Sequence, residues 1–373
     1  MGDHTSGKRW DVFCRVVDNF GDAGVCWRLA RQLVAEHGLD VTLWIDRRAT
    51  LARFEPAIDT DTPIQSAAGV TVRSLVDDEA APSLPGMVVE GFGCGLPTRY
   101  LDAMANAAHP PCWINLEYLS AEPWVDTAHA LASVHPRLPL TRHFWFPGFT
   151  QRTGGLIREA GLLDARNRWQ RRQRNDRDPL RILLFSYPNA TLPALFDAWA
   201  EGDEAIACLV PEGVATAALD TWLQGDVPHP GHGATRGRLS IDVVPFTTQE
   251  GFDRRLWSAD VNFVRGEDSF VRAQWAARAF VWQPYPQAQN AHRLKLDAFL
   301  ARFTCGLEAS ASHALAAFWH AFNGEDVNGA VAAWPAYRAG ITSYAAHGRR
   351  WAVELAAIPE LTAGLVDFWR RRL

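Results

Sequence analysis

The chain has 373 residues, more than one ordinary domain needs, and its 48% of apolar residues can form two hydrophobic cores. Its formal charge of −5 argues against a general nucleic-acid-binding protein, and six cysteines without a C-x-x-C pair indicate a reduced, cytoplasmic protein. The sequence shows no signal-peptide pattern and no apolar run of membrane-spanning length, so we expect neither secretion nor membrane association.

Strand and helix patterns alternate along the first half of the chain. The near-continuous apolar run "WDVFCRVV" predicts a buried strand, after which Val25, Leu29 and Leu33 recur on one helical face. "DVTLWI" and "GMVVEGFG" predict two further strands, and "PTRYLDAMANAA" predicts a helix. This alternation is typical of a doubly wound α/β fold with a parallel sheet.

The pattern lapses between residues 164 and 178 and then restarts. The segment "DARNRWQRRQRNDRD" lacks apolar periodicity and predicts a solvated connector, which we favour over a nucleic-acid-binding tail because it lies between domains. Beyond it, "LRILLFSY", "EAIACLV", "LSIDVVPF", "DVNFV" and "FVWQP" predict strands separated by helices. We therefore expect two Rossmann-like domains, 1–165 and 179–350, that face a central cleft.

The loop "DNFGD" follows the first predicted strand, where a dinucleotide-binding fold would carry G-x-G-x-x-G. One interpretation makes Asp22 the N-cap of the next helix. Asp18 is harder to explain in this way, because a carboxylate at the end of a buried strand needs a partner. Two acids facing a cleft could bind a cationic substrate or act as a general base.

The loop "RGEDS" follows a strand in the second half. Gly266 permits a tight turn, Arg265 suits phosphate oxygens, and the backbone N–H groups near Asp268 and Ser269 could receive an anion. The alternative is a salt-bridged loop in which Asp268 or Ser269 caps the helix. Glu267 and Asp268 fit a phosphate site only if they point elsewhere, towards sugar hydroxyls or a catalytic partner.

Aromatic residues at other loop positions of the second half, Phe185, Tyr187, Phe246 and Phe252, could sandwich a base, and Gln249 could read its edge. The alternative places them in the core. "EGFGCGLP" predicts a close backbone approach, and Asp59 and Asp61 in "IDTDTP" favour a turn over a metal site. We therefore expect no metal site.

Several long segments together resemble one family. They are "WDVFCRVVDNFGDAGVCWRLARQL", "WINLEYLSAEPW", "FPGFTQRTGGLIRE", "LLFSYPN", "PFTTQEGFD" and "RGEDSFVRAQW". They are similar to the bacterial protein-arginine rhamnosyltransferases that modify translation elongation factor P, the EarP family. The resemblance runs from about Trp10 to the C-terminus.

The resemblance implies a GT-B glycosyltransferase that needs neither metal nor cofactor and acts as a cytoplasmic monomer. Such an enzyme transfers L-rhamnose from dTDP-β-L-rhamnose to one arginine of elongation factor P and inverts the anomeric centre. In this family the N-terminal domain receives the protein acceptor and the C-terminal domain binds the nucleotide sugar. The last helix, here 351–373, crosses back to the first domain.

The resemblance also assigns roles to residues. The paired acids of the family fall on Asp18 and Asp22, and its catalytic-region glutamate falls on Glu267. The remaining matched positions are expected to bind dTDP-rhamnose. The diphosphate is expected at Arg265, Asp268 and Ser269, and the thymine at Phe185, Tyr187, Phe246, Gln249 and Phe252. Asn19, Phe20 and Gly21 are also expected to contact this donor.

The chemistry of the acceptor fits this assignment. A guanidinium has a pKa above about 12, and its nitrogens therefore offer no free lone pair at neutral pH. We hypothesise that Asp22 takes a proton as nitrogen attacks the sugar, while Asp18 orients the guanidinium. A catalytically silent protein that binds elongation factor P or a nucleotide is the alternative, and a nucleotide-sugar epimerase or dehydrogenase is disfavoured by the missing dinucleotide fingerprint.

Overall fold

The computed structural model describes residues 8–18, 20–76, 83–173, 179–226, 228–287 and 290–372. The chain divides into two compact units. The first consists of Met1–Ala160 together with Leu355–Leu373, and the second of Gly161–Glu354. Each unit has its own β-sheet flanked by helices.

The first unit contains an eight-stranded sheet. Its strands are β1 (Arg9–Cys14), β2 (Asp40–Ile45), β3 (Ile64–Ala67), β4 (Val70–Ser74), β5 (Met87–Gly91), β6 (Cys112–Leu116), β7 (Ala132–Val134) and β8 (Thr141–Trp145). They lie in the order β3-β4-β2-β1-β5-β6-β8-β7, and only the outer pairs β3/β4 and β7/β8 are antiparallel. Strand β1 is therefore central, and its C-terminal end shares one edge of the sheet with those of β5 and β6.

The helices of the first unit are α1 (Gly21–His37), α2 (Arg48–Ala52), α3 (Thr98–Ala105), α4 (Val125–Ala128) and, near the end of the chain, α14 (Leu361–Arg370). The predicted apolar face of α1 is confirmed, since Val25, Leu29 and Leu33 are all buried. Tyr100 of α3 packs edge-on against Phe13, and its hydroxyl donates a 2.6 Å hydrogen bond to the buried Asp11.

The second unit contains a six-stranded sheet. Its strands are β9 (Leu180–Leu184), β10 (Ile206–Pro211), β11 (Gly233–Arg236), β12 (Leu239–Val244), β13 (Val261–Arg265) and β14 (Ala279–Gln283). The order is β11-β12-β10-β9-β13-β14, with only β11 antiparallel to its neighbour. Its helices are α5 (Leu162–Arg171), α6 (Leu192–Glu201), α7 (Thr216–Leu223), α8 (Gln249–Ser258), α9 (Asp268–Ala276), α10 (Ala291–Phe303), α11 (Ala309–Asn323), α12 (Val327–Ala339) and α13 (Ile341–Ala356).

The predicted connector is wrong over its first part, because residues 162–171 form helix α5. Its polar side chains are used in packing: Arg166 is buried and donates to the carbonyl of Trp275, and the Trp169 indole donates to the Ser258 hydroxyl. Hydrogen bonds rather than apolar periodicity hold α5 in place, which explains why the sequence pattern missed it. Residues 174–178 lie outside the described part of the chain.

The end of the chain is two helices rather than one helix over 351–373. Helix α13 ends at Ala356, and α14 begins at Leu361. Pro359 lacks the N–H that a continuous helix would need, and the Glu360 carboxylate caps the second helix by accepting the N–H of Ala363 at 3.0 Å. No helix within the described residues is long and apolar enough to span a membrane.

Candidate functional site

The acid loop, defined as residues 15–22 apart from Asn19, follows β1 and includes the first two residues of helix α1. Asp22 lies in the first turn of α1, and its carboxylate turns back onto the loop. Its Oδ2 accepts the backbone N–H groups of Val17 at 2.8 Å and Asp18 at 2.9 Å. The interpretation of Asp22 as an N-cap is therefore wrong: α1 begins after Phe20 without a capping side chain, and Asp22 braces the loop before it.

The environment of Asp22 makes it a stronger base than an ordinary aspartate. Its side chain is buried, and burial raises its pKa from 3.8 to about 6. The N–H groups of Val17 and Asp18 and a hydrogen bond from the Tyr118 side chain oppose this rise in pKa, while the nearby charge of Asp18 adds to it. The carboxylate is thus accessible to protonation near neutral pH while remaining mostly ionised there.

Asp18 lies beside Asp22 in the same loop and is also buried. Its carboxylate rests against the backbone of Gly21, where a Cβ would collide with Oδ2. The N–H of Gly21 donates to the carbonyl of Asp18 at 3.1 Å, closing a tight turn. Phe20 and Gly21 are half-buried, and the predicted donor residue Asn19 lies outside the described residues.

Two neighbouring strand ends complete the surroundings of the acid loop. At the end of β5, Gly91 packs against the Phe13 carbonyl and the Cys26 sulfur, which confirms the predicted close backbone approach of the glycine-rich segment. After β6, Tyr118 reaches Asp22. Tyr118 lies in the segment "WINLEYLSAEPW", and nothing local to that segment predicts a contact with the loop after β1.

In the second unit, Arg265 ends β13 and lies against aromatic rings. Its guanidinium carbon is 4.5 Å from the ring centre of Phe185 and 4.9 Å from that of Tyr187. The guanidinium also donates to the carbonyl of Ser186 at 3.0 Å. Phe252 from α8 meets Phe185 edge-on at 5.1 Å, so the structure brings three of the predicted thymine-binding aromatic residues to the predicted diphosphate arginine.

The start of α9 differs from the predicted alternatives for capping. Its N-cap is Glu267, whose side chain makes no capping hydrogen bond, and neither Asp268 nor Ser269 caps the helix. The Ser269 hydroxyl instead accepts the N–H of Arg265 at 3.0 Å and donates to the carbonyl of the same residue. Gly266 has φ +59°, which confirms the tight turn. A diphosphate contact from Ser269 would therefore come from its backbone N–H.

The remaining predicted donor residues precede or begin α8. Phe246 is half-buried after β12, and Gln249 is buried as the first residue of the helix. Thr248 caps α8 through the N–H of Gly251 at 3.2 Å. Gln283, which the sequence did not indicate, ties the loops together: its side chain accepts the N–H of Tyr187, and its carbonyl accepts that of Gly266.

The predicted turn at Asp59 and Asp61 is confirmed. The Asp59 carboxylate accepts the N–H of Asp61 at 2.9 Å and the hydroxyl of Thr62 at 2.6 Å. Within the described residues, no cluster of three or more histidine, cysteine, aspartate or glutamate side chains has the arrangement of a metal site.

Comparison with known proteins identifies the family. The sequence profile described as "Elongation-Factor P (EF-P) rhamnosyltransferase EarP" matches residues 10–370. The chain belongs to the EarP family. A protein-arginine rhamnosyltransferase of Pseudomonas putida is 44% identical and one of Pseudomonas aeruginosa 41% identical, over at least 96% of this chain and 98% of each relative.

Solved structures agree with this membership. A structure from work titled "Structural basis for EarP-mediated arginine glycosylation of translation elongation factor EF-P" is 36% identical, covers 98% of this chain and 99% of its own, and has a TM-score of 0.68. Acinetobacter baumannii MurG shares the fold at 13% identity, with the same coverage and a TM-score of 0.51. The fold of this EarP member is therefore the GT-B glycosyltransferase fold.

Proposed function

We propose that this EarP member transfers L-rhamnose from dTDP-β-L-rhamnose to one arginine side chain of translation elongation factor P, with inversion at the anomeric carbon. Family membership supports the activity and the acceptor. The observation that carries the mechanism is Asp22, a buried carboxylate with a pKa of about 6 in the first turn of the helix that follows a central strand. A base with a pKa near the working pH is well matched to proton removal.

The second unit binds the donor in this proposal. The Arg265 guanidinium is held by two aromatic rings and the Ser186 carbonyl. It therefore loses little side-chain conformational entropy when it binds the diphosphate. The first turn of α9, at Glu267, Asp268 and Ser269, adds the positive end of a helix dipole. The aromatic residues Phe185, Tyr187, Phe246 and Phe252, with Gln249, hold the thymine.

The first unit binds the acceptor arginine through Asp18 and Asp22. Asp18 orients the guanidinium, and Asp22 accepts a proton from the attacking nitrogen. The new bond joins that nitrogen to C1 of rhamnose, while the bond between C1 and the diphosphate oxygen breaks and its electron pair leaves with dTDP. The modified guanidinium keeps its positive charge, and Glu267 interacts with the sugar. A single displacement of this kind inverts the configuration at C1.

Two further features belong to the proposal. The enzyme acts in the cytoplasm, where elongation factor P is found, and it acts as a monomer. Sedimentation of the purified protein, alone and with elongation factor P, tests the second of these features.

Mass spectrometry of the acceptor tests the proposed activity. Elongation factor P incubated with the enzyme and dTDP-β-L-rhamnose should gain the mass of one deoxyhexose on one arginine. If nucleotide or factor binds but the factor gains no mass, the protein is the catalytically silent alternative. Omission of dTDP-rhamnose provides the control.

A further inference from the structure

The acid loop contains a contact that the proposed mechanism does not use. Tyr118 follows β6, two strands away from β1 in the sheet, yet its side chain hydrogen-bonds to the Asp22 carboxylate. Asp22 therefore receives donors from two parts of the chain: the backbone N–H groups of its own loop and a phenol from another strand end. An ionised carboxylate can accept several hydrogen bonds at once, and each further donor restricts its rotation.

The Tyr118 ring is itself held in place. It stacks on the ring of Phe92 at 4.5 Å between centroids and 17° between planes. Phe92 adopts φ +57°, which is unfavourable for a bulky residue and persists only where neighbouring structure enforces it. The N–H of Phe92 donates to the Leu116 carbonyl at 2.7 Å, and the N–H of Gly93 donates to the Asn115 side chain at 2.9 Å. These bonds tie the loop after β5 to β6.

We infer that Tyr118 is a positioning residue for Asp22, with its phenol holding the carboxylate and the strained Phe92 holding the phenol ring. The inference rests on the proposed function in one respect, namely that Asp22 takes the proton. A carboxylate fixed in this way directs a lone pair at one place, where the acceptor nitrogen would have to present its proton.

The electrostatic consequence is specific. Hydrogen bonds to the charged form of a carboxylate lower its pKa, and Tyr118 has this effect on Asp22. Among the described residues, two other titratable groups interact with Asp22: Asp18 in the same loop, which raises its pKa, and the buried thiol of Cys14 on β1. Loss of the phenol alone should therefore raise the pKa of Asp22 further.

The test compares Tyr118→Phe with Tyr100→Phe. Tyr100 provides the matched control, because its hydroxyl also donates to a buried aspartate, Asp11 on strand β1. For each variant, the pH profile of kcat/KM is measured between about pH 5 and pH 8. The carboxyl carbon of Asp22, assigned by its disappearance in Asp22→Asn, is titrated by NMR.

We expect Tyr118→Phe to move both the NMR titration of Asp22 and the acidic limb of kcat/KM upward by about half to one pH unit. Tyr100→Phe should move neither. An unchanged NMR titration in Tyr118→Phe would overturn the inference, as would an equal shift in Tyr100→Phe. If the NMR titration moves and the kinetic limb does not, Tyr118 holds Asp22 as inferred, and the base assignment in the proposed function fails instead.

A second variant keeps the test decisive if Tyr118→Phe does not fold. Phe92→Gly removes the supporting ring and accommodates the left-handed backbone at that position without strain. It should shift the Asp22 titration in the same direction. A folded Phe92→Gly protein with an unshifted Asp22 titration would contradict the role given to the stacked pair.

Discussion

The carboxylate of Asp18 occupies the space into which a side chain at Gly21 would project. Residue 21 must therefore be a glycine if Asp18 is to keep its position, and this requirement is steric rather than conformational. The chain places the smallest residue next to an acid that we propose orients the acceptor.

Gly21→Ala should therefore lower turnover without unfolding the protein. The added methyl group displaces the Asp18 carboxylate, and a misplacement of about 1 Å in a reacting geometry can cost about 100-fold in rate. Steady-state transfer to elongation factor P measures the effect, and circular dichroism checks the fold. Gly348→Ala is the matched control, since a Cβ there meets atoms at ordinary distances of 3.4–3.5 Å. Wild-type kcat/KM in Gly21→Ala would rule out the steric role.

The raised pKa of Asp22 predicts a pH-dependent stability. The folded protein holds a proton on Asp22 up to about pH 6, whereas the unfolded chain releases it near 3.8. This group therefore favours folding below about pH 4 and loses its contribution as the pH rises to about 6. At about 1.4 kcal/mol per pKa unit, the loss amounts to about 3 kcal/mol.

Asp22→Asn removes this titration. The stability of the wild type relative to Asp22→Asn should fall between about pH 4 and pH 6 and stay constant above that range. Urea denaturation of both proteins across this range measures the difference in free energy of unfolding. A difference that does not vary with pH would show that Asp22 ionises as it does in the unfolded chain.

Arg265→Lys should weaken dTDP binding by about tenfold or more. A lysine keeps the positive charge but has no planar group that could lie over the rings of Phe185 and Tyr187 while donating to the Ser186 carbonyl. Calorimetric titration with dTDP gives the affinity. Arg254→Lys is the control, because Arg254 also lies over an aromatic ring, that of Trp169, outside the donor loops. Equal affinities of the two variants for dTDP would contradict the role of Arg265 in binding the diphosphate.

The elements with strong local patterns were predictable from the sequence. The strand "DVTLWI" is β2 residue for residue, and the glycine turn after β13 is present at Gly266. Apolar periodicity and turn propensity are properties of residues close together in the sequence. They can therefore be recognised without knowledge of the tertiary structure. Helix α5 escaped prediction because its packing depends on hydrogen bonds from Arg166 and Trp169 to distant helices.

The partners of the acids were less predictable than the acids themselves. The sequence indicated Asp18 and Asp22 as candidates, but the direction in which the Asp22 carboxylate turns depends on the loop before it. The contact with Tyr118 depends on strand order, which places the ends of β1, β5 and β6 side by side. Contacts of this kind follow from topology and leave no local signal.

Proton removal by Asp22 is tested most directly by the single-turnover rate of rhamnosyl transfer in Asp22→Asn, with dTDP binding measured on the same protein. The amide retains the size of the side chain but cannot accept the proton. We predict a loss of about 100-fold to 10,000-fold in rate, as expected for removal of a general base, with the dTDP affinity unchanged. A rate within a few-fold of wild type would contradict the role of Asp22 as the base.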